Sequence, residues 1–114
     1  MDRSVAETAA TCELVHRSIQ LMNALAIGSR RDDCRALWLS VHSMRDRVAN
    51  PSDSPLSQAA INFSSIVGQW YVSIGSHLAG AYESLARAES FKIAEMMRNS
   101  DQRANSHPEI AASR

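Results

Sequence analysis

Residues 54–82 form a stretch of 29 residues without one Asp, Glu, Lys or Arg, although charged residues occur on both sides of it. Read at helical spacing, this stretch has two apolar faces that lie about 200° apart around a helix of 3.6 residues per turn. The bulky face consists of Phe63, Val67, Trp70, Ile74, Leu78, Ala81 and Leu85. The small face consists of Ile61, Ser65, Gly68, Val72, Gly75 and Ala79. Because a helix that is apolar on two opposite faces must be covered on both sides, the pattern predicts a helical protein whose core is completed by another chain.

The charge balance limits the classes of function that the chain can serve. The charges of its 12 basic and 12 acidic residues cancel, so the formal net charge is zero. A broad nucleic-acid-binding surface needs an excess of positive charge on one side of the protein. Cys12 and Cys34 are too few for a disulfide scaffold, so we expect both to be reduced in a cytoplasmic protein. Charged side chains spread through the first 17 residues leave no place for the apolar core of a signal peptide.

The charge-free stretch is long enough to raise the question of a membrane span, which needs about 20 mostly apolar residues. It contains Gln58, Asn62, Gln69 and His77, however, and these polar side chains would need partners in lipid. No cluster of cations flanks the stretch to set its orientation in a bilayer. We therefore expect no membrane partner.

Periodicity and end signals predict an all-α fold of three to four helices. The first helix is expected over residues 4–27, with Ser4 as its N-cap and Gly28 after its last turn. The second is expected over residues 33–49, capped by Asp32 and ended by Asn50-Pro51. Ser54 followed by Pro55 signals the start of the third.

The third helix carries its apolar pattern to about Met97. A straight helix over residues 55–98 would be about 66 Å long. The first two helices cannot cover that length, so we expect either a kink near Gly75–Gly80 or packing on another chain. Gly68 and Gly75 share the small face and favour close helix approach, whereas Gly80 lies off that face and is the predicted kink. We expect one helical domain over residues 1–98 and a disordered polar tail over residues 99–114.

The sequence shows no motif for catalysis. It contains no G-x-S-x-G turn, no phosphate-binding loop and no dinucleotide fingerprint. Cys12 and His16 share a helix face as half of a zinc site would, but no second pair has zinc spacing. The sequence therefore predicts a protein that is not an enzyme and has no catalytic residue, no cofactor and no metal site.

Five arginines around the second helix keep a small DNA-binding bundle open as an alternative: Arg30, Arg31, Arg35, Arg45 and Arg47. A helix-turn-helix would place such a helix in the major groove. Asp32, Asp33 and Asp46 dilute the positive charge, and the Trp, Leu and Met residues of this helix are typical of a core element. We therefore expect no direct contact with nucleic acid.

The small face of the third helix is the predicted interaction surface. The bulky face needs the first two helices, which leaves the small face for a second copy or a partner protein, although a helix of the same chain could also pack there. Trp70, Tyr71 and Tyr82 are residue types that anchor interfaces. The predicted interface residues are Ile61, Ser65, Gly68, Trp70, Tyr71, Val72, Gly75, Ala79 and Tyr82.

In length, in its all-helical pattern and in its two-faced helix over residues 61–82, the chain resembles the small all-helical antiactivators of LuxR-type quorum-sensing regulators. The resemblance implies a homodimer that docks on the regulator's ligand-binding domain and blocks its dimerisation or DNA binding. The predicted function is therefore that of a protein-interaction module and inhibitor. The alternatives are a structural or secretion-related helical adaptor and the small DNA-binding bundle.

Overall fold

The computed structural model describes the backbone of residues 3–48 and 54–106, and the side chains of residues 8–48 and 54–99. Four helices follow one another along the chain: α1 (Arg3–Ala26), α2 (Arg31–Arg45), α3 (Pro55–Val72) and α4 (Ala79–Ser106). The predicted all-α fold is confirmed, since the described residues contain no strand. No helix in this part of the chain is both long and apolar enough to cross a bilayer.

The helix starts follow the local sequence to different degrees. α3 begins as predicted, because the Ser57 N–H donates to the hydroxyl of Ser54 at 3.3 Å and Pro55 fills the first helical position. α2 begins at Arg31, so Asp32 lies inside the first turn of the helix and the prediction of Asp32 as the N-cap is wrong. The charge of Asp32 there complements the helix dipole. α1 begins at Arg3, one residue before its predicted cap. α2 ends at Arg45, so its predicted end at residue 49 is wrong. Asn50 and Pro51 lie outside the described residues.

The long C-terminal helix is broken into α3 and α4 by a turn over residues 73–78. Gly75 lies in the left-handed region with a φ of +87°, a conformation that glycine adopts without strain. Ser73 closes α3 by donating its N–H to the Gln69 and Trp70 carbonyls, and the Ser76 hydroxyl accepts from the Leu78 N–H at 3.1 Å. The break therefore falls in the predicted region.

The two other glycine assignments in this region differ from the structure. Gly80 lies inside α4, so its assignment as the kink is wrong, and Gly75 leaves the small face because the helix ends at Val72. α4 also runs to Ser106, past the boundary predicted at residue 98. Residues 107–114 of the predicted tail lie outside the described part of the chain.

The core forms where α1, α2 and α4 pack around α3. α1 packs on α2 and α3, whereas α4 packs mainly on α3. The most deeply buried large side chains come from all four helices: Leu14, Leu21, Val41, Phe63, Val67 and Ile93. Phe63, Val67 and Trp70 confirm the bulky face of α3 as core. Ile74 and Leu78 leave the core because the helix has already ended before them.

The side of α3 that faces solvent is polar but uncharged. Gln58, Asn62 and Gln69 are exposed along it, and the Gln58 side chain donates to that of Asn62 at 3.2 Å. These residues lie within about 40° of one another around the helix, opposite Ala60 and Val67. The absence of charge therefore does not make the helix apolar all round, and α3 needs cover over only part of its surface.

Two contacts fix the direction of α1 relative to α3. In the first half of each helix, the Thr11 and Ser57 hydroxyls are hydrogen-bonded at 2.8 Å in the core. Near their last turns, Leu25 and Trp70 line one groove. The two helices are therefore parallel, and the α1–α2 turn lies at the same end of the bundle as the α3–α4 turn.

The close helix approach predicted for Gly68 occurs within the chain, between α3 and α2. A Cβ atom on Gly68 would lie 2.6 and 2.7 Å from two ring atoms of Trp38. The Trp38 ring in turn lies beside Tyr71, with the ring centroids 6.2 Å apart. Gly68 thus makes room for an indole that joins α2 to α3.

We expect Gly68→Ala to lower the free energy of unfolding by about 1–3 kcal/mol, since the new methyl group must displace the Trp38 ring. The measurement is urea denaturation followed by circular dichroism. Gly80→Ala is the matched control, because a Cβ there meets no atom within 4 Å. It should be neutral or stabilising by up to about 1 kcal/mol. Equal stability of Gly68→Ala and the wild type would contradict the packing described here.

Candidate functional site

The α1–α2 turn (residues 27–30) and the α3–α4 turn (residues 73–78) meet at one end of the bundle, here named the turn end. Four aliphatic side chains are exposed in or beside these turns: Ile27 by 81%, Val72 by 66%, Ile74 by 54% and Leu78 by 47%. Single exposed apolar residues are common on proteins, but a group of them in one region marks an interaction site. The turn end is therefore the first candidate for a functional surface.

A groove of about 350 Å³ opens between the two turns. Its apolar lining includes Leu25, Cys34, Trp70, Ile74 and Ala79, and Ser29 and Glu83 contribute polar walls. A second groove of about 300 Å³ shares Ser29, Cys34 and Ile74 with it and adds Arg31 and Tyr71. These volumes lie at the lower limit of small-ligand pockets. The site can therefore take an inserted apolar side chain.

The charged groups at the rim of the grooves do not favour one sign of charge. On the α4 side, the Glu83 carboxylate accepts two hydrogen bonds from Arg87, at 3.0 and 2.8 Å. On the α2 side, Arg31 is followed directly by Asp32 and Asp33 in the first turn. Exposed pairs of this kind contribute little energy. The rim of the grooves therefore presents both signs of charge.

Cys34 forms part of the wall shared by the two grooves, with only 2% of its surface exposed. Its thiol donates to the Ser29 carbonyl at 3.8 Å. Burial, and secondarily the negative charge of Asp33, raises the pKa of this thiol above its ordinary value of 9.0. Because the thiolate is the nucleophilic form, the raised pKa makes Cys34 a weaker nucleophile than an exposed cysteine.

Five of the nine predicted interface residues lie at or next to the turn end. One of them, Tyr71, is half-buried and lines the second groove. Trp70 is buried and lines the larger groove together with Gly75 and Ala79. Val72 is exposed at the last position of α3. The structure therefore brings part of the predicted set together, but on a turn rather than along one helix face.

The other four predicted interface residues lie elsewhere. Gly68 is buried and covered by Trp38. Ile61, Ser65 and Tyr82 are half-buried, and the Ile61 carbonyl accepts a hydrogen bond from the Ser65 hydroxyl at 3.0 Å. None of these residues presents a large exposed apolar surface.

The sequence interpretation missed Ile27, Ile74 and Leu78 as surface residues. Ile74 and Leu78 continue the bulky face only if the helix is continuous, so the spacing placed them in the core. The available signal was the cluster of turn-forming residues Ser73, Gly75 and Ser76. Ile27 precedes Gly28, whose φ of +71° marks the end of α1.

No group of three or more His, Cys, Asp or Glu side chains among the described residues could hold a metal ion. In the half site considered from the sequence, Cys12 is half-buried and His16 is exposed.

Three comparisons with known proteins give no relative. No protein-family model matches the chain, and neither a curated protein nor a solved structure is significantly similar to it.

We expect iodoacetamide to alkylate Cys34 at pH 7.5 at least about tenfold more slowly than glutathione, because burial shields the thiol and its raised pKa lowers the fraction of thiolate. Peptide mapping by mass spectrometry measures the rate, and unfolding in urea should restore it. The raised pKa also stabilises the fold at pH values below about 9, and this contribution is lost as the pH rises further. Alkylation of the folded protein as fast as glutathione would show a reactive cysteine instead.

Proposed function

We propose that this chain is a non-enzymatic protein-binding module that inhibits a LuxR-type transcription regulator by stoichiometric binding at the turn end. The observation that carries the proposal is the group of four exposed aliphatic side chains at the turn end, one of which, Ile74, lines a groove with both polar and apolar walls. A helical scaffold holds this group in place, since Trp70 lies in the core of α3 and also lines the groove.

The energy available from these side chains supports reversible binding. Full burial of a Val, Leu or Ile side chain is worth about 1.5–3 kcal/mol, so the exposed fractions of the four together offer roughly 4–7 kcal/mol. The loss of translational and rotational freedom on association costs about 4–15 kcal/mol. The exposed aliphatic residues alone therefore give weak binding. A partner side chain inserted in the groove, with polar contacts at the rim, would supply the remainder.

The class of partner follows from the resemblance to the antiactivators. A regulator that acts as a dimer must use an apolar patch for its own association. An apolar docking surface on an inhibitor can occupy that patch and so block dimerisation or DNA binding. A homodimer of this chain, in the cytoplasm, is part of the same proposal.

The two alternative functions predict different partners. A structural or secretion-related adaptor would use the same apolar end but would bind a component of an assembly. A DNA-binding bundle would use the arginines of α2, yet the acidic residues Asp32 and Asp33 share its first turn with Arg31. Because electrostatic binding to DNA is strongest at low salt, a gel-shift experiment at low ionic strength tests that alternative directly.

We expect Ile74→Asp to weaken binding to the purified ligand-binding domain of a LuxR-type regulator from the same genome at least about tenfold, because it places a charge in the apolar contact. Isothermal titration calorimetry measures the affinity, and light scattering measures whether the regulator becomes monomeric. Leu39→Asp is the matched control, since Leu39 is 57% exposed on α2.

Two results would count against this proposal in different ways. Failure of the wild-type chain to bind such regulators would remove the antiactivator function. Binding that Ile74→Asp leaves unchanged would remove the turn end as the docking site.

A further inference from the structure

We infer that the outer face of α4 docks the α4 helix of a second copy of this chain in antiparallel orientation. This inference rests on the homodimer included in the proposed function and gives it a surface that the sequence did not identify. The inner side of α4 is buried at Ala86 and Ile93, whose exposures are 0% and 1%. α4 packs mainly on α3, so its opposite side has no large neighbouring element among the described helices.

The outer face is defined by seven exposed residues that lie within about 60° of the direction of Ala88 around the helix. They are Ala81, Ser84, Leu85, Ala88, Phe91, Lys92 and Glu95. Phe91 is 76% exposed and Leu85 is 52% exposed. A Phe side chain offers about 150–250 Å² for burial, so Phe91 leaves roughly 110–190 Å² in water. This is the largest apolar group on the face.

The distribution of side-chain sizes along the face indicates that a second copy of the chain fits it, and in which orientation. The half before Ala88 is mostly small, with Ala81 and Ser84, and the half after it contains Phe91. A two-fold axis at Ala88 places Phe91 of each chain over Ser84 and Ala88 of the other. In a parallel pair, the two halves that contain Phe91 would instead lie at the same level and hold the small halves apart. The face is therefore complementary to itself only in the antiparallel arrangement.

The charges favour the same arrangement. The first turn of α4 contains no acidic residue, although the positive end of the helix dipole favours negative charge there. In the antiparallel pair, Glu95 lies opposite Ala81 of the second copy, in that first turn. Lys92 lies opposite Leu85, where its methylene stem can cover the leucine while its ammonium group stays in water. A parallel pair would bring Glu95 against Glu95.

The size of the overlap sets the strength that we expect. Residues 81–95 span about 21 Å of helix, so the pair buries an area at the low end of specific interfaces, below about 1,200 Å². The dimer should therefore form and dissociate with protein concentration in the micromolar range. The turn end is not part of this face and stays available for the other partner.

Sedimentation velocity over a range of concentrations tests the surface. The full-length wild type should pass from monomer to dimer, and Phe91→Asp should raise the dissociation constant at least about tenfold. Phe91 is mostly exposed, so circular dichroism should show the variant as helical as the wild type. Leu39→Asp adds the same charge at an exposed leucine of α2 and should leave the dimer unchanged.

Single cysteines introduced on α4 test the direction. Ala88→Cys should form a disulfide with itself in the second copy under mild oxidation, since the two-fold axis passes beside it, whereas exposed Ala94→Cys, off the face, should not. A mixture of Ala81→Cys and Glu95→Cys should give the mixed disulfide, identified by mass spectrometry. If each variant instead formed disulfides only between two copies of itself, the pair would be parallel. That result would overturn the inference.

The remaining outcomes separate this inference from the proposed function. A wild type that stays monomeric to about 200 µM, or a Phe91→Asp variant that dimerises as well as the wild type, would overturn it. Binding of the regulator domain by monomeric Phe91→Asp would support two separate surfaces. An Ile74→Asp variant that loses regulator binding but still dimerises would also show that the dimer surface and the regulator-binding surface are separate.

Discussion

The reversal of the chain at residues 73–78 is the constraint on which the rest of the structure depends. Gly75 takes a left-handed conformation there, and the serines around it supply the hydrogen bonds that end one helix and start the next. The reversal lays α4 along α3 and buries Ala86 and Ile93. It also leaves Ile74 and Leu78 outside the core. One turn thus determines both the packing of the core and the exposed residues of the turn end.

The same turn changes how the charge-free helix is covered. If the helix ran on to residue 98, only α1 and α2 could pack on it, and a second chain would be needed. With the break, α4 covers one part of α3, Trp38 of α2 fills the space above Gly68, and uncharged amides face solvent. The exposed apolar side chains therefore lie at the turn end and on the outer face of α4, and not along α3 as a continuous helix would require.

These two apolar surfaces lie on different parts of the fold and differ in chemistry. The turn end has aliphatic side chains around a groove, which suits the insertion of side chains from a different protein. The outer face of α4 has a small half and a large half, which suits a second copy of itself. Two surfaces of this kind would allow self-association and partner binding at the same time.

Much of the fold follows from the sequence alone, because it depends on local chemistry. Three predictions are confirmed: the helical pattern, the Ser54-Pro55 start of α3, and the core positions Phe63, Val67 and Trp70. The candidate site was predicted only in part. The small face and the bulky face were both extended through residues that belong to a turn, so Ile74 and Leu78 were placed in the core. Spacing describes one helix at a time, and it cannot show where the backbone leaves the helix.

Only the tertiary structure decided which apolar residues are covered. Burial depends on what another part of the chain brings to the same place, as Trp38 is brought to Gly68 and α4 to α3. The residues of α3 and α4 determined that each is a helix with an apolar side. The left-handed turn between them decided how these sides meet, and therefore which side chains remain exposed for a partner.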